Sequence, residues 1–207
     1  MPLQPYYDRD GITIYHGDCR DILPELPKVD LVLTDPPYGI SKAAWDGQYL
    51  DWCEDVCLRA GDIVCIIPGI WALGVCISQM GKHYQWTIAG FKPTGMTNGR
   101  LGFNKWQPAV IGGRLKRIGI DAFSFLQAGG EGRNGHPCQK PMSFIGWLVG
   151  KLSDNADTIL DPFMGSGTTL VAAKQLWRKA IGIELEEKYC EIAVKRLAQG
   201  VLPLGGE

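Results

Sequence analysis

No run of apolar residues in this 207-residue chain is long enough to span a bilayer, and no apolar leader core stands at its start. A cytoplasmic protein without a membrane partner is therefore expected. Histidine is scarce, with three residues, and neither a CxxC pair nor a second His at ligand spacing accompanies any of them. No metal site is expected. The seven cysteines (Cys19, Cys53, Cys57, Cys65, Cys76, Cys138 and Cys190) are odd in number and scattered, which argues for reduced thiols over a disulfide framework. Neither sign of charge dominates: 21 Lys and Arg against 22 Asp and Glu give a net charge of −1. Any contact with nucleic acid must then come from a local patch.

The chain has neither repeats nor low-complexity tracts, and its length suits one domain over residues 1–207. Dense apolar runs without polar alternation predict buried strands at 12–15, 30–34, 62–67, 85–89, 108–111, 157–161 and 180–184. Helical spacing predicts helices over 20–26, 49–59, 71–80, 144–152, 170–177 and 187–198, the last closed by Gly200. Alternating elements of this kind imply an α/β fold: a Rossmann-like three-layer sandwich whose mainly parallel, twisted sheet carries helices on both faces.

Two strand ends carry unusual chemistry. Asp35-Pro36-Pro37-Tyr38 follows the run Asp30–Thr34. Its prolines stiffen the loop and remove two backbone donors, Asp35 adds a carboxylate, and Tyr38 offers a flat face for stacking. Downstream, the strand ending at Asp161 leads into Pro162-Phe163-Met164-Gly165-Ser166-Gly167-Thr168-Thr169 and then a helix, an arrangement that opens backbone amides to a ligand. The absence of Lys after the glycines excludes a phosphate-binding P-loop. The next strand ends in Glu184, an acid about 20 residues on, where α/β nucleotide folds hold ribose hydroxyls.

The segments "LVLTDPPYG", "GHPCQKP", "DPFMGSGTT" and "GIELEEKY" together resemble the amino-directed DNA methyltransferases that use S-adenosylmethionine. The order, with the catalytic loop before the cofactor loop, resembles the permuted β group, and the likeness runs from about Ile12 to Leu197. The resemblance implies catalytic roles for Asp35, Pro36, Pro37 and Tyr38, which would accept the hydrogens of an exocyclic amino group and stack the flipped base. It implies that Phe163, Gly165 and Gly167 shape the methionine-side pocket, that Asp35, Asp161, Pro162, Ser166 and Thr168 also bind the cofactor, and that Glu184 binds the ribose. Asp18, with Cys19 beside it, would meet the cofactor adenine, and Lys140 and Pro141 would close the site. The family more often has Thr at the position of Cys138, a mild departure. Asp before Pro-Pro-Tyr favours adenine N6 as acceptor over cytosine N4.

From Arg100 to Lys140, seven basic residues face two acids, Asp121 and Glu131. Arg100, Lys105, Arg114, Lys116, Arg117 and Arg133, interleaved with Phe103, Trp106, Phe123 and Phe125, mark 100–135 as a short segment for double-stranded DNA recognition. A solvated basic loop with buried aromatics is the plainer alternative. So short a segment makes pairing into a homodimer attractive. Two other functions fit the same residues: methylation of RNA or of a protein glutamine, and a non-catalytic, cofactor-binding DNA regulator. The first is disfavoured by motif order and by Asp at position 35, the second by the intact loops.

Overall fold

A computed structural model describes residues 3–37, 53–93, 97–99, 102–115, 119–126 and 140–199. Its core is a nine-stranded sheet. In chain order the elements are β1 (Tyr7–Arg9), β2 (Ile12–His16), α1 (Cys19–Ile22), β3 (Val29–Thr34), α2 (Cys53–Ala60), β4 (Gly61–Ile66), α3 (Leu73–Met80) and β5 (Tyr84–Phe91). A small separate hairpin, β6 (Thr97–Gly99) and β7 (Gly102–Asn104), follows, then β8 (Trp106–Gly113), β9 (Ala122–Ser124) and α4 (Met142–Leu152). The chain continues through β10 (Thr158–Asp161), α5 (Thr168–Gln175), β11 (Lys179–Glu184) and α6 (Glu187–Ala198).

Across the sheet the strands run β1-β2-β11-β10-β3-β4-β8-β5-β9. The five neighbours from β2 to β4 are mutually parallel, while β8 runs antiparallel to both β4 and β5. The expected mainly parallel sheet is thus present, with two reversed strands, β8 and the short border strand β1, and a short parallel strand, β9, at the other border. Each central strand is buried on both faces. In β3, Leu31 and Leu33 join the layer of α4, α5 and α6, whereas Val32 joins that of α1, α2 and α3. This period-two division is why β3 reads as a continuous apolar run.

The chain leaves β10 through α5 towards β11 on one side, and leaves β3 through α2 towards β4 on the other. Strand order therefore reverses between β10 and β3, and a crevice opens at their carboxyl ends. Sequence patterning missed β1, β6, β7 and β9, each three residues long and too short to show a period. Among the described residues no helix is long and apolar enough to cross a membrane.

Candidate functional site

The carboxyl rim gathers the expected loops. Backbone register places Leu160 beside Val32, Asp161 beside Gly182 and Glu184 beside His16, so Asp161 and Glu184 end, and Asp35 and Asp18 follow, four neighbouring strands on one edge. Thr34 Oγ1 donates to Asp161 Oδ1 at 2.8 Å, with both side chains buried, and the Phe163 amide donates to the same oxygen at 3.1 Å. One carboxylate oxygen thereby joins the loop after β3 to the turn after β10. Burial pushes the Asp161 carboxyl up to about 6; hydrogen bonds from Thr169, Thr34 and the Phe163 amide oppose the rise, and the Asp35 charge adds to it. Its ionisation cost is absent below about pH 4, the ordinary Asp value, and complete above about 6, so this group's contribution to stability falls as pH rises through that window.

The turn itself is set by two glycines at positive φ, Gly165 at 50° and Gly167 at 77°. Gly167 is the N-cap of α5, and a Cβ there would lie 2.8 Å from the Ala193 Cβ of α6. The position admits neither the conformation nor the volume of another residue. Arg196, from α6, donates to the Ser166 carbonyl and, at 3.1 Å, to the hydroxyl oxygens of both Ser166 and Thr168. Pro162, which opens this turn, is buried.

Glu184 accepts from the Gly165 amide through Oε2 at 3.0 Å and from the Glu186 amide through Oε1 at 2.8 Å. Burial raises its pKa, with the Glu186 charge adding to the rise, against the Glu186, Gly165 and Leu185 amides, which lower it. Three donors leave acceptor capacity on the carboxylate for a ligand hydroxyl. That donor–acceptor pattern fits the ribose of S-adenosylmethionine.

Asp35, half-buried, forms an ion pair with Lys140, the residue before Pro141, which is the N-cap of α4. Pro36 is buried and Pro37 half-buried. Asp18 caps α1 through the Arg20 amide at 2.9 Å and is clasped by the Arg20 guanidinium, while the Gly17 amide donates to the Glu184 carbonyl at 2.9 Å. Beside it, Cys19 is buried, and burial pushes its thiol up to about 12. Sequence reasoning did not single out Arg20, Thr34, Thr169 or Arg196. The only prior signal was the Thr directly before Asp35 and the Thr pair after Gly167.

The basic segment is divided. Because β8 is antiparallel to β4, its Trp106 end lies at the rim that carries Asp35, and its Gly113 end at the opposite rim. Exposed Lys105, whose Nζ donates to the Pro93 carbonyl at 3.0 Å, flanks the site. Arg114, exposed and bonded through its amide to the Asp62 carbonyl at 2.8 Å, stands beyond the far end of β8, roughly 30 Å away at strand rise. The expectation of one basic surface holding both is corrected by this reversal. Two of the interleaved aromatics are also core groups: Phe125 stacks on Phe144 at 4.8 Å and Phe123 on Trp147 at 5.0 Å between ring centroids. Tyr38, Arg100, Lys116, Arg117, Arg133 and Cys138 lie outside the described residues.

A family model described as DNA methylase matches residues 69–195. The type II methyltransferase M2.LlaDCHI of Lactococcus lactis subsp. cremoris is 51% identical, over 95% of this chain and 93% of that protein. The DNA adenine methyltransferase YhdJ of Escherichia coli (strain K12) is 25% identical, over 92% of this chain and 84% of its own. Among solved structures, the M1.HpyAVI complex with S-adenosylmethionine superposes with a TM-score of 0.74 and 26% identity, over 90% of this chain and 99% of that one.

Proposed function

The chain belongs to the DNA methylase family, whose members use S-adenosylmethionine, and from that premise we propose that its carboxyl rim methylates the N6 amino group of a flipped adenine. The observation that carries this reading is the shared rim: Asp35 and the Gly165–Thr168 turn are joined through the Thr34–Asp161 bond although 130 residues separate Asp35 from Gly165. Asp before Pro-Pro-Tyr and the likeness to an adenine methyltransferase support the choice of base.

Bound S-adenosylmethionine supplies an electrophilic methyl group on a sulfonium. Glu184 holds the ribose hydroxyls, and the turn of Phe163, Gly165, Ser166 and Gly167 holds the methionine side. An exocyclic amino nitrogen is a weak nucleophile because its lone pair is delocalised into the ring. Asp35 and the Pro36 carbonyl accept its two hydrogens, which bends the nitrogen towards tetrahedral geometry and localises that pair. Tyr38 stacks on the extruded base, offsetting a few kcal/mol of lost stacking and pairing. Once the nitrogen has gained its methyl it becomes acidic, and Asp35 takes the proton it sheds. The protein thus contributes position, exclusion of water and polarisation.

Incubation with labelled S-adenosylmethionine and unmethylated duplex DNA, followed by nucleoside separation, tests this directly. Label is expected in N6-methyladenine. Label in N4-methylcytosine overturns the choice of base, and no label in DNA overturns the function.

Duplex contact beside this rim falls to Lys105 and not to Arg114. Lys105→Ala is expected to reduce the slope of log affinity against log salt by about one, while Arg114→Ala leaves it unchanged. Fluorescence anisotropy between 50 and 200 mM salt, roughly the range over which phosphate contacts are lost, distinguishes the two.

A further inference from the structure

We infer that Thr34 is a positioning residue for methyl transfer: its hydroxyl locks the catalytic loop to the cofactor turn by holding the Asp161 carboxylate. Thr34 ends β3 immediately before Asp35 and is 1% exposed. Its carbonyl accepts the Ile67 amide at 2.9 Å, which ties the same residue to the segment after β4. The hydroxyl points the other way, into Asp161 Oδ1 at 2.8 Å, and Asp161 is itself 4% exposed. That oxygen also receives the Phe163 amide, so the first peptide of the cofactor turn and the last residue before the acceptor clamp share one atom as their reference.

A hydroxyl is needed here, and shape alone does not suffice. Val has almost the volume of Thr and suits a strand equally well, yet would leave a buried carboxylate oxygen short of a donor. Four other groups face Asp161 among the described residues. Asp35, paired with Lys140 but still repelling the Asp161 charge, approaches from the loop after β3; Thr169 reaches in from α5; the buried Cys53 thiol of α2 lies within its field; and Phe163 contributes its amide. Thr34 is the β3 residue that donates to this carboxylate and thereby favours its charged form. With that donor removed, ionised Asp161 turns towards its remaining partners, and the turn it anchors shifts relative to Asp35. Methyl transfer demands in-line alignment of nitrogen, methyl and sulfur, so displacements well under an ångström are costly.

This inference rests on the functional reading above, and its test separates the two. Thr34→Val and Thr34→Ser are compared with wild type by single-turnover methyl transfer at pH 7.5 and by thermal unfolding of the ligand-free protein from pH 5 to 8.5. Thr34→Val is expected to slow transfer by about tenfold or more. Its Tm deficit should widen as pH rises through about 6, where Asp161 ionises. Thr34→Ser, which restores the hydroxyl, should match wild type within about twofold in rate and show no widening deficit. In an Asp161→Asn background, Thr34→Val should cost little further rate. A Thr34→Val deficit that is constant with pH, or that Ser fails to rescue, marks a packing effect and overturns the proposal. The unfolding comparison requires neither cofactor nor the Asp161 variant. A wild-type protein that labels no DNA would instead defeat the reading of the rim.

Discussion

Asp35→Ala is expected to reduce methyl transfer by about 10²- to 10³-fold or more, the scale seen when one preorganised polar group is removed from a reacting centre. S-adenosylmethionine affinity should change only a few fold, because the contacts assigned to the ribose and the turn, Glu184 and Gly165–Thr168, are left intact. The substitution also removes the ion-pair partner of Lys140, whose side chain is 15% exposed. Asp35→Asn is the sharper variant, because it keeps shape and one acceptor oxygen while removing the charge. Single-turnover kinetics with labelled cofactor, beside calorimetric titration of the cofactor alone, separates chemistry from binding. An equal loss in both would show that the Asp-Pro-Pro-Tyr loop serves the cofactor and not the base.

Gly167→Ala should lower stability by about 2–3 kcal/mol, combining the cost of positive φ for a residue with a Cβ and overlap with a neighbouring helix. The overlap cannot relax cheaply, since the opposing atom is the Ala193 Cβ, fixed to the α6 backbone. At this chain length such a loss corresponds to a fall in Tm of roughly 5–10 °C. Cofactor affinity should fall in parallel by more than about tenfold, because relief of the overlap moves Ser166 and Thr168 away from Arg196. Differential scanning calorimetry with and without S-adenosylmethionine reads both quantities. A variant with native Tm and native affinity would show that the turn is not built on this close approach.

What could be read from the residues, and what could not, divides along physical lines. β3, β10 and β11 were evident because a strand buried on both faces is a solid apolar run, and the loops after them because Pro and Gly restrict or relax φ in recognisable places. Their meeting on one edge followed from parallel strand logic. The reversal of β8 was not visible, since an apolar run carries no sign of its direction. That blindness placed Lys105 and Arg114 on one surface when they stand at opposite rims. Phe123 and Phe125 were similarly ambiguous: only α4, packed over them, makes them core. Lys140–Asp35 and Thr34–Asp161 are pairs of residues 105 and 127 positions apart, and no local pattern announces such partners.

The placement of β10 bears on how the molecule comes into being. This strand fills the middle of the sheet between β3 and β11, yet its first residue is Thr158. While a ribosome is still making the first three-quarters of the chain, β3 is an open border with an unpaired row of amides and carbonyls, and β2 lacks its neighbour β11. Such late, long-range pairing is slow and leaves the nascent chain exposed to mispairing. A product cut off before β10 would lack both the centre of the sheet and the turn that faces Asp35, so truncated chains are expected to be insoluble and inert instead of partly active.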